Sequence, residues 1–203
     1  MTKETKTRSE MGTRDLTKRT IHLRGLTDIM FDRYPGDNDT KLEPWQKLYL
    51  AGSEGRTICL PSANIMSFLS AQNTDSAPRR ILDKRKYKDF CNQCLAYVMI
   101  NPKMIPFLKD GEPIVFGKFD GDIDKQTGIY IDRTVARLDK GIPNPKVRPV
   151  IPMPWALEFE ISLFPNEDLQ EQQILNVFEK GGIILGLGTF RGQYGKFKVS
   201  CWE

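Results

Sequence analysis

The run Leu157-Glu158-Phe159-Glu160-Ile161-Ser162-Leu163 alternates large apolar residues with polar ones. Strand side chains alternate between faces, so this is a strand with one buried and one wet face. The sequence after it sets the class. Pro165-Asn166-Glu167-Asp168 begins a helix: Asn166 can cap it, and the two acids suit its positive end. Leu169, Ile174, Leu175 and Phe178 form its apolar face, and Lys180-Gly181-Gly182 ends it. A glycine-rich stretch leads into a last strand, with Phe197, Val199 and Cys201 on one face and Lys196, Lys198 and Ser200 on the other.

Working outward, Ile21 and Leu23 alternate with His22 and Arg24 in a first strand. Residues 34–44 are a loop by turn chemistry, and 57–60 are a short apolar stretch. Ser62 is the expected N-cap of a helix whose apolar face holds Ile65, Met66, Phe68 and Leu69. Residues 72–80 are polar and loop-like, and a second helix is expected from 83 to about 99, closed by Asn101-Pro102. Residues 114–119 and 128–138 read as a hairpin around a polar loop, and the five prolines of 141–154 mark an irregular segment. The main order is strand, helix, strand, strand, helix, strand. That predicts an α+β fold of the ferredoxin-like βαββαβ kind, a scaffold of many nucleic-acid-binding sheets, with an inserted helix and hairpin at about 72–120.

The chain has 203 residues, 39% hydrophobic and 28% charged, with a formal net charge of +4. That composition excludes collagen-like, coiled-coil and wholly disordered chains. A chain of this length buries roughly 70% of its unfolded surface and folds without staples. No run approaches the ~20 apolar residues of a membrane span, and the N-terminus lacks the apolar core of a signal peptide. The expectation is a single domain over 20–203 in a cytoplasmic setting, behind a flexible basic tail over 1–19, with reduced cysteines and no membrane partner. The tail, with six basic and three acidic residues, is either a solubilising leader or an arm drawn to phosphates.

The stretch most informative for function is Gly186-Leu187-Gly188-Thr189-Phe190-Arg191-Gly192-Gln193-Tyr194-Gly195-Lys196-Phe197. Glycines admit close backbone approach and supply unhindered amides, Arg191 and Lys196 bring positive charge, and Phe190 or Tyr194 can stack on a base. A long turn with unusual backbone angles explains the glycines equally well. The stretch is neither a P-loop nor a dinucleotide fingerprint. Arg79, Arg80, Lys84, Arg85, Lys86 and Lys88 form a basic run with one acid, Asp83. It is either a solvated face or a phosphate-binding patch.

Cys91-x-x-Cys94 lies on an apolar helix face, which favours buried thiols over a metal or redox site. Asp120, Asp122 and Asp124 mimic the start of a calcium loop, but Lys125 and Ile131 replace its glycine and its bidentate acid. Neither metal nor cofactor is expected.

The helix at 167–180, the Arg-Gly-x-x-Gly-Lys-Phe of the glycine-rich loop and the final strand resemble the C-terminal end of the RAMP superfamily, the backbone subunits of CRISPR effector complexes. Thr57-Ile58-Cys59-Leu60-Pro61-Ser62-Ala63-Asn64-Ile65 resembles that family's strand running into a helix start. The resemblance implies a subunit that coats single-stranded guide RNA through its phosphates, stacks with copies of itself and other effector subunits, and is not an enzyme. Ser62, Asn64, Gly188, Arg191, Gly192 and Lys196 would then face phosphate, with Arg24, Arg79, Arg80, Lys84 and Arg85 as further nucleic-acid contacts. Some RAMP subunits cleave RNA with a loop acid, and Asp37 and Asp39 occupy such a loop, although an acidic turn explains them too. Two other functions suit the same sequence: a single-stranded DNA-binding protein of a phage or mobile element, and an interaction protein that binds or mimics a nucleic-acid complex.

Overall fold

The computed structural model describes residues 15–37, 39–52, 54–72, 76–137 and 143–203. It is a mixed α+β fold built on antiparallel sheet. The strands are β1 (Thr17–Gly25), β2 (Ile29–Met30), β3 (Leu50–Ala51), β4 (Thr57–Pro61), β5 (Val98–Asn101), β6 (Met104–Lys109), β7 (Glu112–Pro113), β8 (Tyr130–Arg137), β9 (Pro143–Ile151), β10 (Ala156–Leu163) and β11 (Phe197–Trp202). Four α-helices accompany them among the described residues: α1 (Ser62–Ser70), α2 (Ala77–Ile81), α3 (Tyr87–Tyr97) and α4 (Glu171–Ile184). The larger sheet runs β11-β1-β10-β6-β4-β3, with β5 also on β10 and β7 on β6, and a smaller sheet runs β2-β9-β8.

The alternating run is β10, at the centre of the larger sheet. It pairs with β1 from Thr17↔Leu163 to Arg24↔Ala156, and with β5 and β6 on its other edge. Leu157, Phe159 and Ile161 are buried, and Glu160 faces Lys18 at 3.1 Å on the wet side. α1 contributes Ile65, Phe68 and Leu69 to the core, and α4 contributes Ile174, Val177 and Phe178. Phe68 packs 5.5 Å from Phe178 and 5.6 Å from Phe197, joining both helices to the last strand.

Several expected boundaries shift. Thr17 to Arg19 belong to β1 and not to the tail; residues 1–14 of that tail lie outside the described residues. Arg19 grips Glu171 through two hydrogen bonds of 2.6 and 2.9 Å, and the Trp202 indole donates to the same carboxylate at 2.6 Å, tying α4 to the sheet. α4 starts at Glu171, later than expected. Asn166 instead turns the chain by accepting from the amides of Asp168 and Leu169, and Gln170 and Gln173 cap the helix reciprocally. Gly181 and Gly182 do not end α4. A Cβ on Gly181 would lie 2.6 Å from the Phe68 ring, and one on Gly182 would lie 2.5 Å from the Phe197 carbonyl oxygen. They are glycine because the helix lies that close to its neighbours.

Residues 72–154 depart further. The expected loop contains α2, where Ser76 caps by accepting from the Arg79 amide and Pro78 sits in the first turn. The long helix ends at Tyr97; Val98 and Ile100 are buried around exposed Met99, so a period-two strand follows directly on a helical one. The expected hairpin does not form. Residues 114–119 hold one bridge, Thr57↔Val115, and β8 pairs with β9. The loop before β8 closes instead on buried Asp124, which accepts from the amides of Gly117 and Gln126 and the Thr127 hydroxyl. The segment expected to be irregular is β9. Its prolines at 143, 145 and 149 share one parity, so none needs to donate to β8. Pro149 turns its carbonyl the other way and accepts from the Phe31 amide at 3.0 Å. Among the described residues no helix is long and apolar enough to cross a membrane.

Candidate nucleic-acid interface

The glycine-rich loop is held by main-chain bonds on both sides. Leu187 N–H donates to the Gly195 carbonyl (2.9 Å), Thr189 N–H to that of Met30 (2.9 Å) and Gly195 N–H to that of Asp28 (2.7 Å). The Lys196 amide donates to the Thr27 hydroxyl at 3.0 Å. Gly186 and Gly195 have positive φ, and a Cβ on either would strike the opposite stem of the loop. Phe190 also has φ 52° and stands partly in solvent. The loop is therefore stitched against the start of β2, and its tip projects.

This fixed loop borders two adjoining concavities. One, of about 240 Å³, is lined by Arg33, Asn64, Ser67, Gly188, Thr189 and Arg191, with Phe31 and Phe68 among its apolar lining. The other, of about 330 Å³, is lined by Arg80, Ile184, Phe190 and Gly192, and it shares Gly188, Thr189 and Arg191 with the first. Together they form one cleft between α1, the end of α4 and the loop. Its arginines come from three separate segments of sequence, and a concave surface carrying several guanidinium groups, hydroxyls and an amide suits a phosphodiester chain.

Of the residues singled out in the sequence, Asn64, Arg80, Gly188, Arg191 and Gly192 line this cleft. The others are placed elsewhere. Ser62 does not cap α1: Pro61 is the cap residue, and the Ser62 amide donates to the Lys103 carbonyl at 2.9 Å. Lys196 lines neither concavity, and its main chain is committed to Thr27 and Leu26. Arg24 stands on the wet side of β1 with His22 and Lys18. Arg79 lies over the Tyr87 ring at 5.9 Å, and Lys84 and Arg85 are exposed between α2 and α3, so only Arg80 of the basic run reaches the cleft. The amide expected of Gly192 is also committed, to the Leu185 carbonyl at 3.1 Å; what Gly192 provides is open space. Tyr194 is half-buried, with burial and then Asp132 pushing its phenol up, while Phe190 is the aromatic that reaches solvent.

Sequence reading misses Arg33, Ser67 and Thr189. Arg33 sits in an irregular segment with no periodic signal, and Tyr49 holds its guanidinium at 5.8 Å from the ring centroid. Asp32 is the acid in the lining. Burial alone would raise its carboxyl, but hydrogen bonds from Arg148 and Lys47, with their charges, hold it below the ordinary carboxylate value. Those contacts, at 2.9 and 3.1 Å, supply Asp32 with its own counter-charges.

Cys59, Cys91 and Cys94 are buried free thiols, and Cys201 is partly exposed. Among the described residues no cluster of His, Cys, Asp and Glu is arranged to hold a metal ion. Asp122 pairs with Arg133, Asp120 with Lys125, and Asp37 accepts from Thr40 and Asp39 within its own turn.

No protein-family model matches the chain, and no curated protein does. Solved structures do. A chain in the structure described as the Type III-B Cmr-beta bound to cognate target RNA superposes with a TM-score of 0.56 at 14% identity, over 93% of this chain. This chain spans 60% of that one's length. The likeness is one of fold.

Proposed function

We propose that this protein is an RNA-binding subunit of a CRISPR-type ribonucleoprotein, of the RAMP kind, and that it holds single-stranded RNA by its phosphates in the cleft between α1 and the glycine-rich loop. The observation that carries the reading is the convergence of Asn64, Arg80, Gly188 and Arg191, scattered over more than a hundred positions, on one cleft. Two further facts support it. The strand order β11-β1-β10-β5 is compatible with the ferredoxin-like core that this reading supposes. The fold is also shared with a chain from an RNA-bound Cmr-beta structure. In this reading the protein is a binder and not a nuclease, works in the cytoplasm, and assembles with copies of itself and other subunits.

Affinity for a labelled oligouridylate, measured over a salt series, tests the reading. Arg191→Ala should weaken binding to every sequence alike and lower the salt slope by about one charge. Unchanged affinity and slope would remove Arg191 from the interface. A matched DNA strand separates the second reading, a single-stranded DNA-binding protein, because only RNA offers the 2′-hydroxyl.

A further inference from the structure

The cleft does not stop at Arg33. Asp32 and Arg33 also border a third and larger concavity, of about 610 Å³, between the loop after β2 and the start of β9. Arg33 is the hinge between the two spaces, steadied over Tyr49. The cations facing the larger space besides Arg33 are Lys41, Lys47 and Lys146. Lys47 is structural: it donates to the Val147 carbonyl at 2.7 Å and pairs with Asp32. Lys41 is exposed and Lys146 half-buried, and neither lines the first two concavities. The two acids in the lining are turned to other work. Asp32 is balanced by Lys47 and Arg148, and Asp37 accepts from the Thr40 amide (2.6 Å), the Thr40 hydroxyl (2.8 Å) and the Asp39 amide (2.9 Å). Beside these charges stands Tyr34, 62% exposed, the most exposed of the described large hydrophobic side chains. A well-exposed ring set among lysines and an arginine is what a single strand uses, its base on the ring and its phosphates on the cations.

We propose that this concavity is a second arm of the same cleft: it takes a nucleobase on the face of Tyr34, with Lys41 and Lys146 serving the adjoining phosphates. The proposal rests on the nucleic-acid reading of the first arm and extends the strand's path past Arg33. It differs from that arm in kind, because the first arm reads phosphate and this one adds a base.

The test compares a fluorescein-labelled 15-mer oligouridylate with an abasic ribose-phosphate 15-mer, both titrated against the full chain. Tyr34→Ala should weaken the oligouridylate by about 5- to 100-fold, leave the abasic strand unchanged and leave the salt slope unchanged. Tyr34→Phe should restore the wild-type affinity. Lys146→Ala should lower the slope by about one charge on both strands. Thermal unfolding of each variant should match wild type, since Tyr34 and Lys146 are not core residues. If Tyr34→Ala binds like wild type while Arg191→Ala is weakened, the second arm falls and the first stands. If Tyr34→Ala is weakened and Arg191→Ala is not, the second arm stands alone. Equal loss on both strands overturns the base contact, and a wild-type chain that binds neither strand overturns both arms.

Discussion

Replacing Gly182 by Ala tests whether close packing is the reason for a glycine inside α4. At a helix-interior position with open space beside it, Ala in place of Gly would add about 1 kcal/mol of helix propensity. The structure places Gly182 inside the helix, with its missing Cβ 2.5 Å from the Phe197 carbonyl oxygen and 2.8 Å from the Phe197 ring. A ring can rotate away, but a strand carbonyl moves only with its strand. Overpacking of this kind costs about 1–3 kcal/mol, and the main-chain neighbour puts this case in the upper part of that range. Set against the propensity gain, the expected net loss is about 1–2 kcal/mol. For a domain of this size that lowers Tm by about 2–8 °C. Circular dichroism melts of Gly182→Ala, with Lys180→Ala on the exposed side of the same helix as the control, read the difference. A Tm equal to or above wild type would refute the packing argument.

Two other perturbations follow from the same structure. Asp32 is held below its unfolded pKa, so its stabilisation is complete above about pH 4 and is lost as the pH falls through the lower folded value. Asp32→Asn should flatten that acid limb in urea titrations and cost about 3 kcal/mol at neutral pH, because it leaves buried Arg148 without its counter-charge. Burial pushes the Cys91 thiol up to about 11 and Cys94 higher still, so iodoacetamide at pH 8 should modify Cys201 first and leave Cys91 and Cys94 intact until denaturant is added. Peptide mass spectrometry would show the order, and early labelling of the Cys91 pair would contradict their burial.

The strands legible in the sequence are those whose two faces differ in wetness. β1, β10 and β11 each put one face on the core and one in water, so the period of two survives in the residues. β9 was hidden because its prolines read as breakers, and only the register shows that all three avoid the ladder with β8. β5 was hidden because Val98 fits both the end of a helical stripe and the start of a strand. Gly181 and Gly182 misled because close approach between elements is a tertiary fact with no local signature. The site divides in the same way. The glycine loop, Asn64 and Arg80 are marked by composition and by position at element ends. Arg33 and Thr189 acquire their place only when the loop is stitched to Met30 and Asp28. Lys196 carried charge in the right stretch, but the turn at Gly195 takes its main chain to Thr27 and its side chain out of the cleft lining.

The claim that RNA runs through the cleft, and not across the wet face of the sheet, is tested most directly by ultraviolet crosslinking. The full chain would be bound to a uniformly 4-thiouridine-substituted RNA, irradiated, digested and sequenced by mass spectrometry. The account predicts crosslinked peptides from the glycine-rich loop, with Phe190 at its exposed tip, and from α1 around Asn64. Crosslinks confined to β1 and β11, on the face that carries Arg24, Lys198 and Ser200, would contradict it.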